Sequence, residues 1–190
     1  MVSEGLGDTA EAILRAVSSA VIRFSTATHW EEAVPDVLAN LGTASGASRL
    51  YVYQNLTDDS GRLCQDLAFE WSAPGITPTI GLAWTHGWVY GEGYAHYEDI
   101  LGSGGVIQSQ ASEVGEVERA DYAEVGILSA VFVPIFLGDE WWGYMGYDEC
   151  EVERRWSSLE VLVLRTAAET LGAAIYRGRL EEKLREAEKR

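Results

Sequence analysis

The chain has 190 residues, with 14 Lys and Arg against 30 Asp and Glu, for a formal charge of −16. Such a charge repels phosphate backbones and anionic bilayer surfaces, which excludes nucleic acid from the expected partners. Apolar residues at 47% and charged residues at 23% fit a folded soluble domain and exclude wholesale disorder. No apolar stretch reaches the ~18 residues of a membrane span, so no membrane insertion is expected. Met1 to Asp8 lacks the basic and apolar regions of a signal peptide. Cys64 and Cys150 form neither a disulfide framework nor a CxxC pair. These features predict a cytoplasmic protein of one domain with a helical extension.

In chain order, Asp8 with Glu11 resembles a capping box, and Ile13, Leu14, Val17, Val21 and Phe24 recur at helical spacing. They predict a helix over about 9–25. A second, over about 29–42, opens at Thr28, with Pro35 tolerable in its first turns and Gly42 to Gly46 ending it. Arg49 to Leu56 and Leu63 to Trp71 predict a hairpin around Asp58-Asp59-Ser60-Gly61. Its second strand alternates, with Leu63, Leu67, Phe69 and Trp71 on one side. The stretch from Pro74 to Gly105 is irregular, with a short helix expected within 88–101, and is followed by a short strand over 106–110. A short helix fits 116–125. Two more strands, 128–137 and 141–147, flank Gly138-Asp139, and Pro134 inside the first argues for an edge, bulge or break. Ser157 with Glu160 caps a helix from about 158 to the chain end. Its apolar stripe runs through Leu171 and Ile175 to Leu180 and Leu184. Beyond Arg177 it has little core to pack on and calls for a partner helix.

A longer pattern joins these elements. Gly126-Ile127 and Ser129 precede Val133-Pro134-Ile135; after the Gly-Asp turn come Trp142-Gly143-Tyr144-Met145-Gly146-Tyr147-Asp148 and Cys150, then Arg155-Trp156-Ser157 and Glu160. The pattern resembles a GAF domain, of the subtype found in bacterial and archaeal multidomain sensors such as histidine kinases, and the resemblance covers about 10–178. It implies an α+β, PAS-related fold. A central antiparallel sheet of five or six strands would carry the N- and C-terminal helices on one face and a ligand pocket on the other, roofed by 74–125. It also implies a parallel homodimer, an unknown small-molecule ligand, and a downstream output domain. The GAF domain proper would span 1–178, and 179–190 would be a signalling-helix or coiled-coil extension. The motif residues themselves maintain the fold and supply no reaction.

The expected ligand-pocket residues are Trp71, Trp84, Trp88 and Tyr97, with His86 and His96. Aromatic rings give large contact area with few rotors. The plainer alternative is a second hydrophobic cluster beneath a long loop. No cofactor is required. Haem or another metal held by His86 or His96 is one alternative function, and a structural dimerisation module with an empty pocket is another. Cys150 is followed by Glu151 and sits in the wrong place for a covalent bilin. Asp148-Glu149 matches only the end of the cyclic-nucleotide signature of the family. Arg119 is the only basic residue between Arg62 and Arg154, which disfavours an anionic ligand. Asp99, Glu113, Glu116, Glu118, Asp121 and Glu124 read as a solvated acidic face. There is no catalytic triad, nucleophile elbow, kinase signature or zinc spacing. The reading is therefore a non-catalytic sensory domain of two-component type. Leu171, Ile175, Leu180 and Leu184 form its expected dimer and signalling seam, and no catalytic or metal-ligating residue is expected.

Overall fold

The computed structural model describes residues 2–91 and 93–189, with side chains described from residue 8. In chain order the elements are α1 (Val2–Thr26), α2 (Trp30–Ser45), β1 (Arg49–Thr57), β2 (Leu63–Ser72), β3 (Trp88–Val89), α3 (Ala95–Gly102), β4 (Ile107–Gln110), α4 (Glu116–Val125), β5 (Ser129–Leu137), β6 (Glu140–Glu149) and α5 (Ser158–Glu188). The strands form one antiparallel sheet in the order β3-β2-β1-β6-β5-β4. Helices α1, α2 and α5 cover one face, and the segment between β2 and β5 covers the other.

Two expected helix starts shift. Helix α1 already runs at Val2 and passes through Asp8, so Asp8 is not its cap. Helix α2 begins at Trp30; His29 occupies the N-cap position without a side-chain hydrogen bond, and Thr28 lies outside. Gly42 belongs to the helix, which ends at Gly46 in the left-handed region (φ 64°). By contrast, α5 starts with the capping box its sequence announces. Ser157 Oγ accepts from the Glu160 amide, and Glu160 Oε2 accepts from the Ser157 amide at 2.8 Å. Arg154 ties this corner together, bonding Glu149 and Glu160 and lying 4.0 Å over the Trp156 ring.

Two β-bulges decide which side chains face which layer. Val52 pairs with Phe69 but Tyr53 pairs with Leu67, leaving Ala68 without a partner. The alternation of β2 therefore inverts at Ala68. Leu63 and Leu67 face the roof, whereas Phe69 and Trp71 turn to the helices. Ile135 pairs with Gly143 and Phe136 with Trp141, so Trp142 is the extra residue of β6. Trp141 consequently faces the roof and Trp142 the helices. Pro134 lies beyond the end of β4, which pairs only with Ser129 to Phe132. Its missing N–H therefore has no strand to serve on that side.

The helix-side core includes Phe24, Leu38, Leu50, Val133, Leu164 and Leu171. Gly172 lets α5 approach the sheet closely, since a Cβ there would sit 2.5 Å from the Phe136 carbonyl oxygen. Arg177 donates to the carbonyls of Phe24 and Ala27 at 2.9 and 3.2 Å, closing the C-terminal end of α1. The expected seam divides here. Leu171 and Ile175 are 0% and 3% exposed within this core and are not available to a partner helix. Leu180 and Leu184 are 49% and 63% exposed. The buried pair sits on the sheet-facing side of α5, and the heptad reading missed this because the stripe drifts around the helix as it leaves the domain.

Candidate functional site

The floor of the site follows from strand alternation. On β1, Arg49, Tyr51 and Tyr53 point to the roof side; on β6, Tyr144, Gly146 and Asp148 lie opposite them, and Phe132 follows on β5. Gly146 makes room for this floor, because a Cβ there would sit 2.7 Å from the Tyr51 ring and 2.8 Å from that of Phe132. Tyr53 and Tyr144 stack at 5.0 Å between centroids, and Tyr51 meets Tyr53 edge-on.

The roof supplies the other rings. Trp88 lies against Tyr94 (4.2 Å between centroids) and edge-on to Trp84 (6.1 Å), and Tyr94 meets Tyr97 edge-on. Its loop is clamped to β2 at two points. Glu70 accepts from the amides of Thr79 and Ile80 and from the Thr79 hydroxyl. His86 lies between Asp66 Oδ1 (3.1 Å from Nδ1) and the Ile80 carbonyl (2.9 Å from Nε2). Both neighbours only accept, so the doubly protonated ring satisfies both. The Ile80 carbonyl, with Asp66, raises the His86 pKa above its ordinary value.

Between floor and roof lies a partly open cavity of about 60 Å³ lined by Tyr51, Tyr53, Trp84, Trp88, Tyr94, Tyr97, Tyr122, Phe132 and Tyr144 together with Arg49, Asp121 and Asp148. That is about twice the ~30 Å³ a water occupies in the liquid. The tyrosine hydroxyls are largely committed to neighbours. Tyr51 donates to Asp148 (2.6 Å), Tyr94 to Asp121 (2.7 Å) and Tyr97 to Glu118 (2.8 Å). Tyr144 donates to Gln65, and Tyr122 meets Ser109 at 2.5 Å. Burial pushes the phenols of Tyr51, Tyr97 and Tyr144 well up, so they stay protonated donors.

One buried ion pair sits in the wall. Arg49 Nη1 is 3.5 Å from Asp148 Oδ2, and both side chains are 2% exposed. Arg49 Nη2 also donates to the Val125 carbonyl and to Cys150 Sγ. Burial pushes the Asp148 carboxyl up to about 6, against the opposing pull of Arg49 and the Tyr51 hydroxyl. Two buried donors on wall residues, Arg49 Nε and Trp84 Nε1, have no hydrogen-bond partner among the described residues.

Of the six expected pocket residues, Trp84, Trp88 and Tyr97 line this cavity. Trp71 does not: beyond the Ala68 bulge it packs on the opposite face of the sheet, over Gly42 of α2. His86 sits on the loop clamp, and His96 lines a separate open groove, 46% exposed and 3.7 Å from Glu118. With both histidines outside the cavity, the haem alternative has no axial ligand there. Among the described residues no group of three or more His, Cys, Asp or Glu could hold a metal ion. Sequence reasoning passed over Arg49, Tyr51, Tyr53, Tyr144 and Asp148 as site residues. Their signal was present, since Arg49-x-Tyr51-x-Tyr53 and Tyr144-x-Gly146-x-Asp148 share the two-residue period of one strand face. Glu118 was read as solvated, yet it is 6% exposed beneath Tyr97.

Comparison with known proteins settles the family. The GAF domain family model matches residues 29–175, and the chain belongs to the GAF family. It is 34% identical over 149 residues to the methanogenesis regulatory histidine kinase FilI of Methanothrix harundinacea (strain 6Ac), covering 78% of this chain and 17% of that protein. The chain thus spans about a sixth of the length of that curated relative. Among solved structures, the phycoerythrobilin-bound GAF domain of a cyanobacterial phytochrome matches with a TM-score of 0.73 at 19% identity, covering 91% of this chain and 97% of that one. A phycocyanobilin-bound GAF domain of a cyanobacterial phytochrome matches at 0.72 and 18% identity, covering 90% and 96%. At these identities the likeness establishes the fold alone. A tetrapyrrole does not fit the site here: the cavity is about 60 Å³ and neither cysteine lines it.

Proposed function

We propose that this GAF domain is a non-catalytic sensory module of a larger cytoplasmic signalling protein of two-component type. A small ligand held between sheet and roof biases the roof, and the domain passes that bias through α5 to an output domain. The observation that carries the reading is the aromatic cavity between sheet and roof, whose floor strands β5 and β6 carry α5 on their other face. A ligand can drive such a change only by binding two states unequally. The kinase relative supports an output module beyond α5, in a protein far longer than this chain. On this reading the domain proper spans 1–178 and residues 179–190 continue α5 as the signalling helix. Leu162, Tyr176, Leu180 and Leu184, all exposed on α5, form the seam of a parallel homodimer.

Native mass spectrometry of the purified chain tests this directly. The expected result is a dimer that becomes a monomer on Leu180→Lys with unchanged circular dichroism. A wild-type chain that stays monomeric at tens of micromolar removes the signalling-helix mechanism. The small cavity volume favours one second reading, a dimerisation module whose pocket is filled by its own tyrosines. It predicts that Trp84→Ala leaves output unchanged when the domain drives a kinase reporter.

A further inference from the structure

The sheet ends at β4, and that edge lacks the usual guards. Natural edge strands are commonly protected by Lys, Pro or a bulge, whereas Ile107-Gln108-Ser109-Gln110 carries neither charge nor proline. Its outward groups follow from the register. Ile107 pairs with Phe132, and just beyond the strand Ala111 donates to the Leu128 carbonyl at 2.9 Å. Bonded residues alternate along an antiparallel pair, so Ile107 and Ser109 bond β5, and Gln108 aims its N–H and C=O away from the sheet. Gln110 aims the same way, but its carbonyl already accepts the Glu113 and Val114 amides. A groove of about 670 Å³ runs along this edge. It touches residues 106–109 in succession, Val106 from the helix side and Ile107 from the roof side, as only a groove at the rim of the sheet can.

The facing wall is α3 and the start of α4. It presents Ile100 and Val117, both exposed, and the carboxylates Glu113, Glu116 and Glu118. Among the described lining residues none is Lys or Arg. Glu113 meets Arg155 in an exposed pair, and Glu118 accepts from Tyr97 and lies 3.7 Å from His96. Glu116, in the first turn of α4, has no ion-pair or hydrogen-bond partner among the described residues. A second copy of the chain would bring the same carboxylates, and a charge of −16, against themselves. A basic partner is attracted by both. We propose that the β4 edge takes up an extended, basic segment of a partner protein as an added strand. Gln108 supplies the backbone bonds. Residues two apart in the added strand face the roof side together, where an apolar one packs on Ile100 and Val117 and a Lys or Arg meets Glu116.

Fluorescence anisotropy of the full chain with a labelled peptide tests this, at about 150 mM salt to screen non-specific attraction. The probe alternates arginine, threonine, valine, threonine and arginine, so that both arginines and the valine share one face. It is expected to bind saturably and to slow exchange of the Gln108 amide. The same peptide with N-methylated backbone amides keeps its charge and loses its donors, and should not bind. Glutamate in place of arginine should also abolish binding. Glu116→Gln should weaken it about threefold, the size of an exposed ion pair. Gln108→Pro removes the outward N–H and spares the β5 ladder, and should weaken it at least about tenfold. Equal binding of the N-methylated peptide, or an unprotected Gln108 amide, overturns the added strand. Equal binding of the glutamate peptide overturns the basic partner, and no binding of the arginine peptide overturns the proposal as a whole. Self-association that survives Leu180→Lys and is lost on Gln108→Pro gives the edge to a second copy and likewise overturns it. None of these results touches the sensory reading, because the groove shares no lining residue with the cavity or the α5 seam.

Discussion

The Arg49–Asp148 pair is the most consequential contact at the scale of single residues. Neither charge reaches solvent, so each depends on the other and on Tyr51, Val125 and Cys150. Removing one member strands its partner. Arg49→Met is expected to cost about 3–5 kcal/mol at pH 7.5, measured by urea unfolding. The loss should be smaller at pH 5. Asp148 already titrates near 6 in the native protein, and without Arg49 its carboxyl protonates more readily and ceases to be a buried charge. The sign in the parent chain follows from the same shift. A carboxyl whose folded pKa lies above its unfolded value of 3.8 adds stability below that value and loses it as pH rises through about 6. An equal loss at both pH values would mean that Asp148 is not the group left behind. Gly146→Ala should also be costly, since the Tyr51 and Phe132 rings would both have to move.

At the scale of elements, stability and roof closure rest on different parts. Ser157→Ala removes half of the α5 capping box and should cost about 1 kcal/mol in thermal or urea unfolding. Gly172→Ala should cost about 1–3 kcal/mol by pushing α5 off β5. The roof loop depends instead on Glu70 and on the His86 clamp. Because the His86 pKa is raised, the clamp is complete below about 6.5, the unfolded value, and fades as pH rises through the folded one. Hydrogen-exchange protection of residues 79–86, corrected for intrinsic rates, should therefore fall from pH 6 to pH 8, and His86→Ala should flatten that dependence. The same elements show what could be read beforehand. Most element positions and types were legible, α4 to the residue, because caps, turns and periodicity are local signals. The facing of Trp71 was not, since it depends on where Ala68 fails to pair, which only the β1 partner decides. About half of the cavity was legible as an aromatic segment. The floor was passed over because its residues also read as ordinary strand formers, and His86 misled because its two partners lie 20 and six residues away.

For the whole molecule, the sheet separates two jobs. One face holds a large apolar core under three helices, and the other holds a polar, tyrosine-rich cluster under a thin roof. Substitutions along α5 should therefore divide by direction. Leu171→Ala is expected to cost about 2–5 kcal/mol in unfolding free energy with association unchanged. Leu180→Lys should abolish association and leave the unfolding of the monomer almost untouched. Analytical ultracentrifugation beside denaturation distinguishes the two, and a Leu171→Ala chain that loses association while keeping stability would refute the division. Arg177 extends the logic. By holding the carbonyl of Phe24 near the end of α1 and that of Ala27 just beyond it, it ties the two terminal helices to each other.

The edge-on contact of Trp84 with Trp88, and of Trp88 with Tyr94, has an optical consequence. Neighbouring indoles at this separation couple electronically, so the protein carries a built-in chromophore pair that reports roof geometry without a dye or label. Near-ultraviolet dichroism and emission from that pair follow the lid over the cavity, with Trp141 against Tyr90 a further reporter on the roof side, while Trp30 and Trp142 form a second edge-on pair on the helix face. The distance between two rings thus becomes a signal that can be watched in real time, in dilute solution and in chains of any length that contain this domain.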